Sequence, residues 1–424
     1  MKIQVKGGRI IDPASGFDKA GDVFIAAGKI VALGAAPDGF HANRVIDAAG
    51  LIVCPGLVDL SARLREPGYE YKATLESEMA AAVAGGVTSL VCPPDTDPPL
   101  DEPGLVEMLK HRARSLNQAR VFPLGALTQA LKGERITEMA ELLDAGCVAF
   151  SQADAPLNDT QVLLRAMQYA TTFGYPVWLR PQDATLARGG FAHDGQVATR
   201  LGLAPIPAIA ETAALSTILL LTRETGARVH LCRLSTADGV DMVRQAKALG
   251  ISVTCDVSAN HVHLSEMDIG YFDSNCHLVP PLRSLRDRDA LRRAVKDGTV
   301  DAICSDHTPV DDDAKQLPFG ESEAGATGLE LLLSLTLRLA DETRMPLAGA
   351  LARITSEPAR VLGIDVGRLA VGGNADVCVF DPDARWKVEP ASLKSQGRNT
   401  PFASYEMSGR VRCTLVEGHV VYEG

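Results

Sequence analysis

Residues 51–68 read LIVCPGLVDLSARLREPG: an apolar run, Leu51 to Leu60, gives way to the polar and charged string Ser61-Ala62-Arg63-Leu64-Arg65-Glu66 before Pro67-Gly68. An apolar run with so little alternation suits a strand covered on both faces, as in a parallel sheet. Seven further runs follow: VTSLVC (87–92), RVFPLGAL (120–127), GCVAFS (146–151), YPVWLR (175–180), RVHLCR (228–233), ISVTCDV (251–257) and VDAICSD (300–306). Between them lie Ala/Leu-rich or amphipathic segments such as ATLESEMAAAVAGG, IAETAALSTILLLTRETG and TADGVDMVRQAKALG, several ending at Gly as a helix C-cap does. Eight strand-helix repeats over residues 51–364 predict an α/β fold, a TIM-type (β/α)8 barrel.

Outward from the barrel, the two chain ends are strand-rich. Residues 1–50 contain IQVKGGRIID and GDVFIAAGKIVALG, and residues 365–424 contain GRLAVGGNADVCVFD and RVRCTLVEGHVVYEG. Lone hairpins are marginal in water, so the ends are expected to meet in one small β-sandwich domain made of 1–50 plus 365–424.

The 424 residues are 46% hydrophobic and 22% charged, which excludes a disordered or fibrous chain. Forty-two basic against 53 acidic residues leave a net charge of −11, which argues against nucleic acid or an anionic membrane as partner. No run of eighteen apolar residues is present, and MKIQVKGGRIID alternates like a strand rather than reading as a signal peptide, so the chain is expected to be cytoplasmic. Nine cysteines, none in a C-x-x-C pair, read as buried reduced thiols.

A barrel enzyme carries its chemistry at the C-terminal ends of its strands. Those ends supply Ser61, Arg63 and Arg65; Asp95; Ser151, Gln152, Ala153 and Asp154; Arg180; Arg233; His261; and Asp306 with His307. In this order the segments PGLVDLSARLREPG, GGVTSLVCPPDTDPP, GCVAFS, HLCRLSTADGV, VPPLRS, SDHTP and ATGLELLL resemble those of dihydroorotases, cyclic amidohydrolases of pyrimidine synthesis. The likeness runs through nearly the whole chain and implies the amidohydrolase-superfamily barrel with its small β domain.

The resemblance also implies zinc, held in that family by two His of an H-x-H motif, a strand-4 lysine or aspartate, one His after each of strands 5 and 6, and an Asp after strand 8. Here Ser61 and Arg63 occupy the H-x-H positions, Gln152 and its neighbours Ser151 and Ala153 the strand-4 position, and Arg180 and Arg233 the two later His positions. Only Asp306 is retained. A guanidinium offers donors and no lone pair, so it cannot ligate a cation. No zinc and no other cofactor is therefore expected, and no catalytic residue beyond a vestigial Asp306.

Of the nine histidines, His261 and His263 follow strand 7 and are candidates for the mouth, His230 is placed lower in strand 6, and His41, His111, His193, His277 and His419 fall outside the strand ends. The resemblance assigns Arg65 to a substrate carboxylate; the same residue also reads as part of the Pro67-Gly68 turn. Asp95 stands where the family has Asn, placing a negative charge beside an anionic ligand.

These substitutions predict that Arg63, Arg180 and Arg233 converge on Asp306 and lock the mouth by salt bridges, since a buried unpaired carboxylate is costly. An excess of positive charge there would alternatively hold an anion in a vestigial pocket of Arg63, Arg65, Asp95, Arg180, Arg233 and His261. The resemblance points to a noncatalytic homologue that assembles with aspartate carbamoyltransferase, in a homo- or hetero-oligomer. Two alternatives stand beside it: an active cyclic amide hydrolase with a metal-poor site, and a small-anion sensor.

Overall fold

The computed structural model describes residues 1–424. Five strands precede the barrel: β1 (Lys2–Asp12), β2 (Phe17–Ala26), β3 (Lys29–Gly34), β4 (Arg44–Asp47) and β5 (Ile52–Pro55). The barrel strands are β6 (Leu57–Asp59), β7 (Val87–Cys92), β8 (Arg120–Ala126), β9 (Ala149–Ser151), β10 (Val177–Leu179), β13 (Val229–Leu231), β14 (Val253–Ser258) and β15 (Ala302–Cys304). A short parallel pair, β11 (Ala192–His193) and β12 (Pro205–Ile206), interrupts the series, and β16 (Val377–Lys387), β17 (Glu406–Val416) and β18 (His419–Glu423) end the chain.

The eight barrel strands pair in parallel in sequence order from β6 to β15. The seam between β6 and β15 is closed above by an isolated bridge between Ala62 and His307 and by the Ser305 amide donating to Asp59 at 2.8 Å. Below, the chain at Arg353 and Ile354 fills it, taking hydrogen bonds from the amides of Ile303 and Val58. Val58, Leu60, Val91, Leu124, Ala149, Trp178, Ala302 and Cys304 pack inside the ring, so it is a solid core. Only the loops past the strand ends are left to form a site.

The helices begin and end as their sequences direct. Thr74 caps the helix Leu75–Ala84 in a reciprocal capping box with Ser77. Gly226 closes the long helix Ile209–Thr225 in the left-handed conformation. No helix is long and apolar enough to cross a membrane.

The chain ends form one continuous mixed sheet, β18-β17-β16-β5-β1-β2-β3 with β4 on β1. The sheet turns back on itself, because Gly28 and Ile30 of the β2–β3 hairpin hydrogen-bond to Ala375, Gly372 and Gly373 just before β16. A 15-residue core including Ile3, Ile10, Val23, Val53, Val377 and Leu415 lies within it. Both chain ends thus share one β layer, as expected.

One expectation changes. Leu51–Leu60, read as a single barrel strand, is two: β5 pairs with β1 and β16 of the end sheet, and β6 with β7 of the barrel. Between them Gly56 donates its amide to Asp376 and Leu57 donates to Gly86, consecutive residues bonded to different layers. A side chain at Gly56 would fall 2.2 Å from Thr88 Oγ1, which is why the break carries glycine.

Candidate functional site

The strand ends converge as barrel geometry requires, and four non-glycine residues there, Arg65, Ala153, Arg233 and Asp306, hold left-handed φ values between 51° and 65°. Each costs on the order of 1 kcal/mol, and such conformations gather where a backbone must aim a side chain.

What they aim is a network of three arginines and three aspartates. Arg63 donates Nε to Asp95 Oδ2 at 2.8 Å, Nη2 to Asp154 Oδ2 at 2.6 Å and Nη1 to Thr308 Oγ1 at 3.1 Å. Arg233 donates Nη2 to Asp154 Oδ1 at 2.5 Å and Nη1 to Asp306 Oδ1 and to the Val279 carbonyl, each at 3.1 Å. Arg180 donates to Asp154 and to Gln182. The arginine and Asp306 side chains are 5–7% exposed, whereas Asp154 is 29% exposed, so water reaches the cluster on the Asp154 side.

The arginines do converge, but on Asp154 rather than on Asp306. Asp306 takes a hydrogen bond from Arg233 and lies 3.7 Å from Arg63, and it is not joined to Arg180. In the sequence, Gln152 and Ala153 stand nearer the expected ligand slot than Asp154 does. Counting charges finds it: three buried guanidinia require more than one carboxylate. Burial raises the Asp154 carboxyl, but Arg233, Arg180 and Arg63 outweigh that and hold it well below the usual carboxylate range. Burial pushes Asp306 up, against Arg233 and Arg63. With Asp95 bonded to Arg63, three cations face three anions, and the expected surplus of positive charge is absent.

The other candidates sit elsewhere. Gln152 turns away, donating to the Leu131 carbonyl at 2.8 Å and accepting from Thr128 at 2.9 Å. Ser61 is buried beside the seam, its amide 3.4 Å from Asp59 and its carbonyl accepting from the amide of His307. Arg65 donates Nε to the Pro309 carbonyl at 2.8 Å, and Glu323, 3.8 Å from its Nη2, is also paired with Lys72. His261 lies against the carbonyls of Pro280 and Pro281 at 3.1 and 3.2 Å, and His263 against Leu335 at 2.8 Å, so the two do not form a pair at the mouth. A cavity of about 210 Å³ remains, lined by Arg63, Arg65, Asp154, Arg233, Asp306 and Glu323; His261, Arg180 and Asp95 do not line it.

Beneath the network, His230 lies 2.9 Å from Asp256 Oδ2 and 2.8 Å from Thr254, while Asp256 Oδ1 accepts the Arg233 amide at 2.7 Å. With Cys232 these form a His/Cys/Asp trio of metal-ligating type. Both ring nitrogens of His230 and both carboxylate oxygens of Asp256 are already engaged, and through Asp256 the pair holds the Arg233 turn, a support that the sequence did not signal.

The zinc set of the amidohydrolase barrel does not fit these residues. Three ligand positions present guanidinium donors, and the carboxylates within reach accept from them.

The fold is that of the amidohydrolase class: a model of the Amidohydrolase family matches residues 189–421, and L-hydantoinase (dihydropyrimidinase) from Arthrobacter aurescens superposes with a TM-score of 0.89 at 25% identity, over 99% of this chain and 96% of that one. A Dihydro-orotase-like family model matches residues 50–239. The chain is 48% identical to a dihydroorotase-like protein of Pseudomonas aeruginosa over the whole of both chains. It is 39% identical to a dihydroorotase of Syntrophotalea carbinolica, over 100% of this chain and 99% of that one. The chain belongs to the dihydroorotase-like family of amidohydrolases.

Proposed function

We propose that this chain is a noncatalytic dihydroorotase homologue that serves as a structural subunit for aspartate carbamoyltransferase. The observation that carries the noncatalytic part is the closure of Arg63, Arg180 and Arg233 on Asp154 where the family binds zinc. A hydrolase of this class must generate a nucleophilic water, and no lone-pair set stands ready to hold the ion that would activate it. The scaffold around the network is intact, which supports a role in assembly. The partner rests on the resemblance to noncatalytic dihydroorotase-like proteins. Co-expression with aspartate carbamoyltransferase followed by size-exclusion chromatography should give one co-migrating complex; separate migration at micromolar concentration would remove the assignment.

The name dihydroorotase on relatives of 39–40% identity favours a second reading, an active cyclic amide hydrolase with a metal-poor site. Dihydroorotase assays in both directions with added zinc decide between the two, and turnover above background supports the second.

A further inference from the structure

A cavity of about 470 Å³ lies away from the barrel mouth, between the end strands β16 and β17 and the barrel segment that carries Glu330 and Ser334. Four cationic residues are among those that border it: Arg385 and Lys387 from β16, Lys394 from the segment after it, and Arg410 from β17. They are exposed and, unlike the neighbouring Arg412, which bonds Asp381 at 3.1 Å, they have no carboxylate partner. Two acids share the lining, Glu330 and Glu389. The Glu330 carboxyl accepts from the backbone amides of Lys394 at 2.8 Å and Ser395 at 3.2 Å, and burial pushes it up to about 7. A hollow bordered by four bases against two acids, in a chain of net charge −11, is a local feature that the composition conceals. Trp386, anchored by its indole N–H to the Gly409 carbonyl at 3.0 Å, lines the same hollow, with the Arg410 guanidinium 5.8 Å from its ring.

We propose that this cavity is a second binding site, for a ligand carrying two or three linked phosphates, held at its rim by Arg385, Lys387, Lys394 and Arg410. Arginine matches phosphate bidentately and lysine supplies point charge, so four such groups around one hollow favour several linked phosphates over a single carboxylate. Trp386 offers a surface to a planar base if the phosphates belong to a nucleotide. The site is independent of the function proposed for the barrel mouth.

Calorimetric titration of the full chain with tripolyphosphate, ATP and CTP tests it. Saturable one-to-one binding below millimolar is expected for at least one of them, weakened at least tenfold in the double variant Arg385→Glu/Arg410→Glu, whose exposed positions spare the fold. The control Lys19→Glu/Arg200→Glu, with two exposed charges reversed elsewhere, should bind as the wild type does. Tighter binding of the nucleotides than of tripolyphosphate, with quenching of tryptophan emission, assigns a nucleotide; equal affinity assigns an inorganic polyphosphate. Absence of saturable heat, undiminished binding in the Arg385/Arg410 variant, or equal weakening in the control overturns the proposal.

Discussion

Arg233 and Asp154 are joined at 2.5 Å across the barrel mouth, tying the end of β13 to the loop after β9. Because Asp154 also serves Arg63 and Arg180, it is the common acceptor of three buried cations. Asp154→Ala leaves those guanidinia uncompensated and is expected to lower unfolding free energy by about 3–5 kcal/mol. Asp95→Ala, which removes a partner of Arg63 alone, should cost about 1 kcal/mol. Denaturant midpoints with unchanged slopes check both, and a loss below 1 kcal/mol for Asp154→Ala would show that the mouth is held by something else.

With the carboxylates of the mouth already engaged by arginines, protein from zinc-supplemented medium is expected to carry well below one equivalent of zinc after desalting, and a chelator should leave its melting temperature unchanged. Metal analysis and a thermal scan test this together. One equivalent surviving chelation contradicts it.

His307, next to Asp306, lies against buried Glu78, which also accepts from Ser395 Oγ at 2.7 Å and from the Gln396 amide at 3.0 Å. The loop after β15 is thereby fastened to Ser395 and Gln396 of the C-terminal segment. Glu78→Gln removes a buried anion that accepts from His307, Ser395, Gln396 and the Ser77 hydroxyl and should cost about 3 kcal/mol. Limited proteolysis should then cut near Ser395 before the rest of the chain, and uniform cleavage would separate the segment from this pair.

His277 stacks on Phe319, with its Nδ1 3.0 Å from Ser322 Oγ, and burial lowers its pKa from 6.5 to about 4. Between those values the unfolded chain binds the proton and the folded chain does not, so this group's contribution is complete above about pH 6.5 and fades as pH falls toward 4. Relative to His277→Asn, the stability advantage of the wild type should shrink by roughly 3 kcal/mol from pH 7 to pH 4. An advantage independent of pH sinks this assignment.

Much of the fold was legible because buried parallel strands write themselves as apolar runs, and caps such as Thr74 and Gly226 mark helix ends. The run 51–60 misled because β5 and β6 are both fully covered, so nothing in its hydropathy marks the change of sheet. At the site, residue types were legible one by one: Arg63, Arg180 and Arg233 do converge. Their acceptor was not, since which carboxylate a long side chain reaches depends on loop paths that a sequence does not print. His261 and His263 failed for the same reason, their rings being claimed by backbone carbonyls from distant segments.

Gly56 leaves this molecule without a seam. Its amide belongs to the end sheet and that of the next residue to the barrel, so no flexible tether separates the two layers. The backbone on either side of one residue is therefore tied into both layers. Surfaces drawn from the end sheet and from the barrel thus meet at a junction that contains no linker.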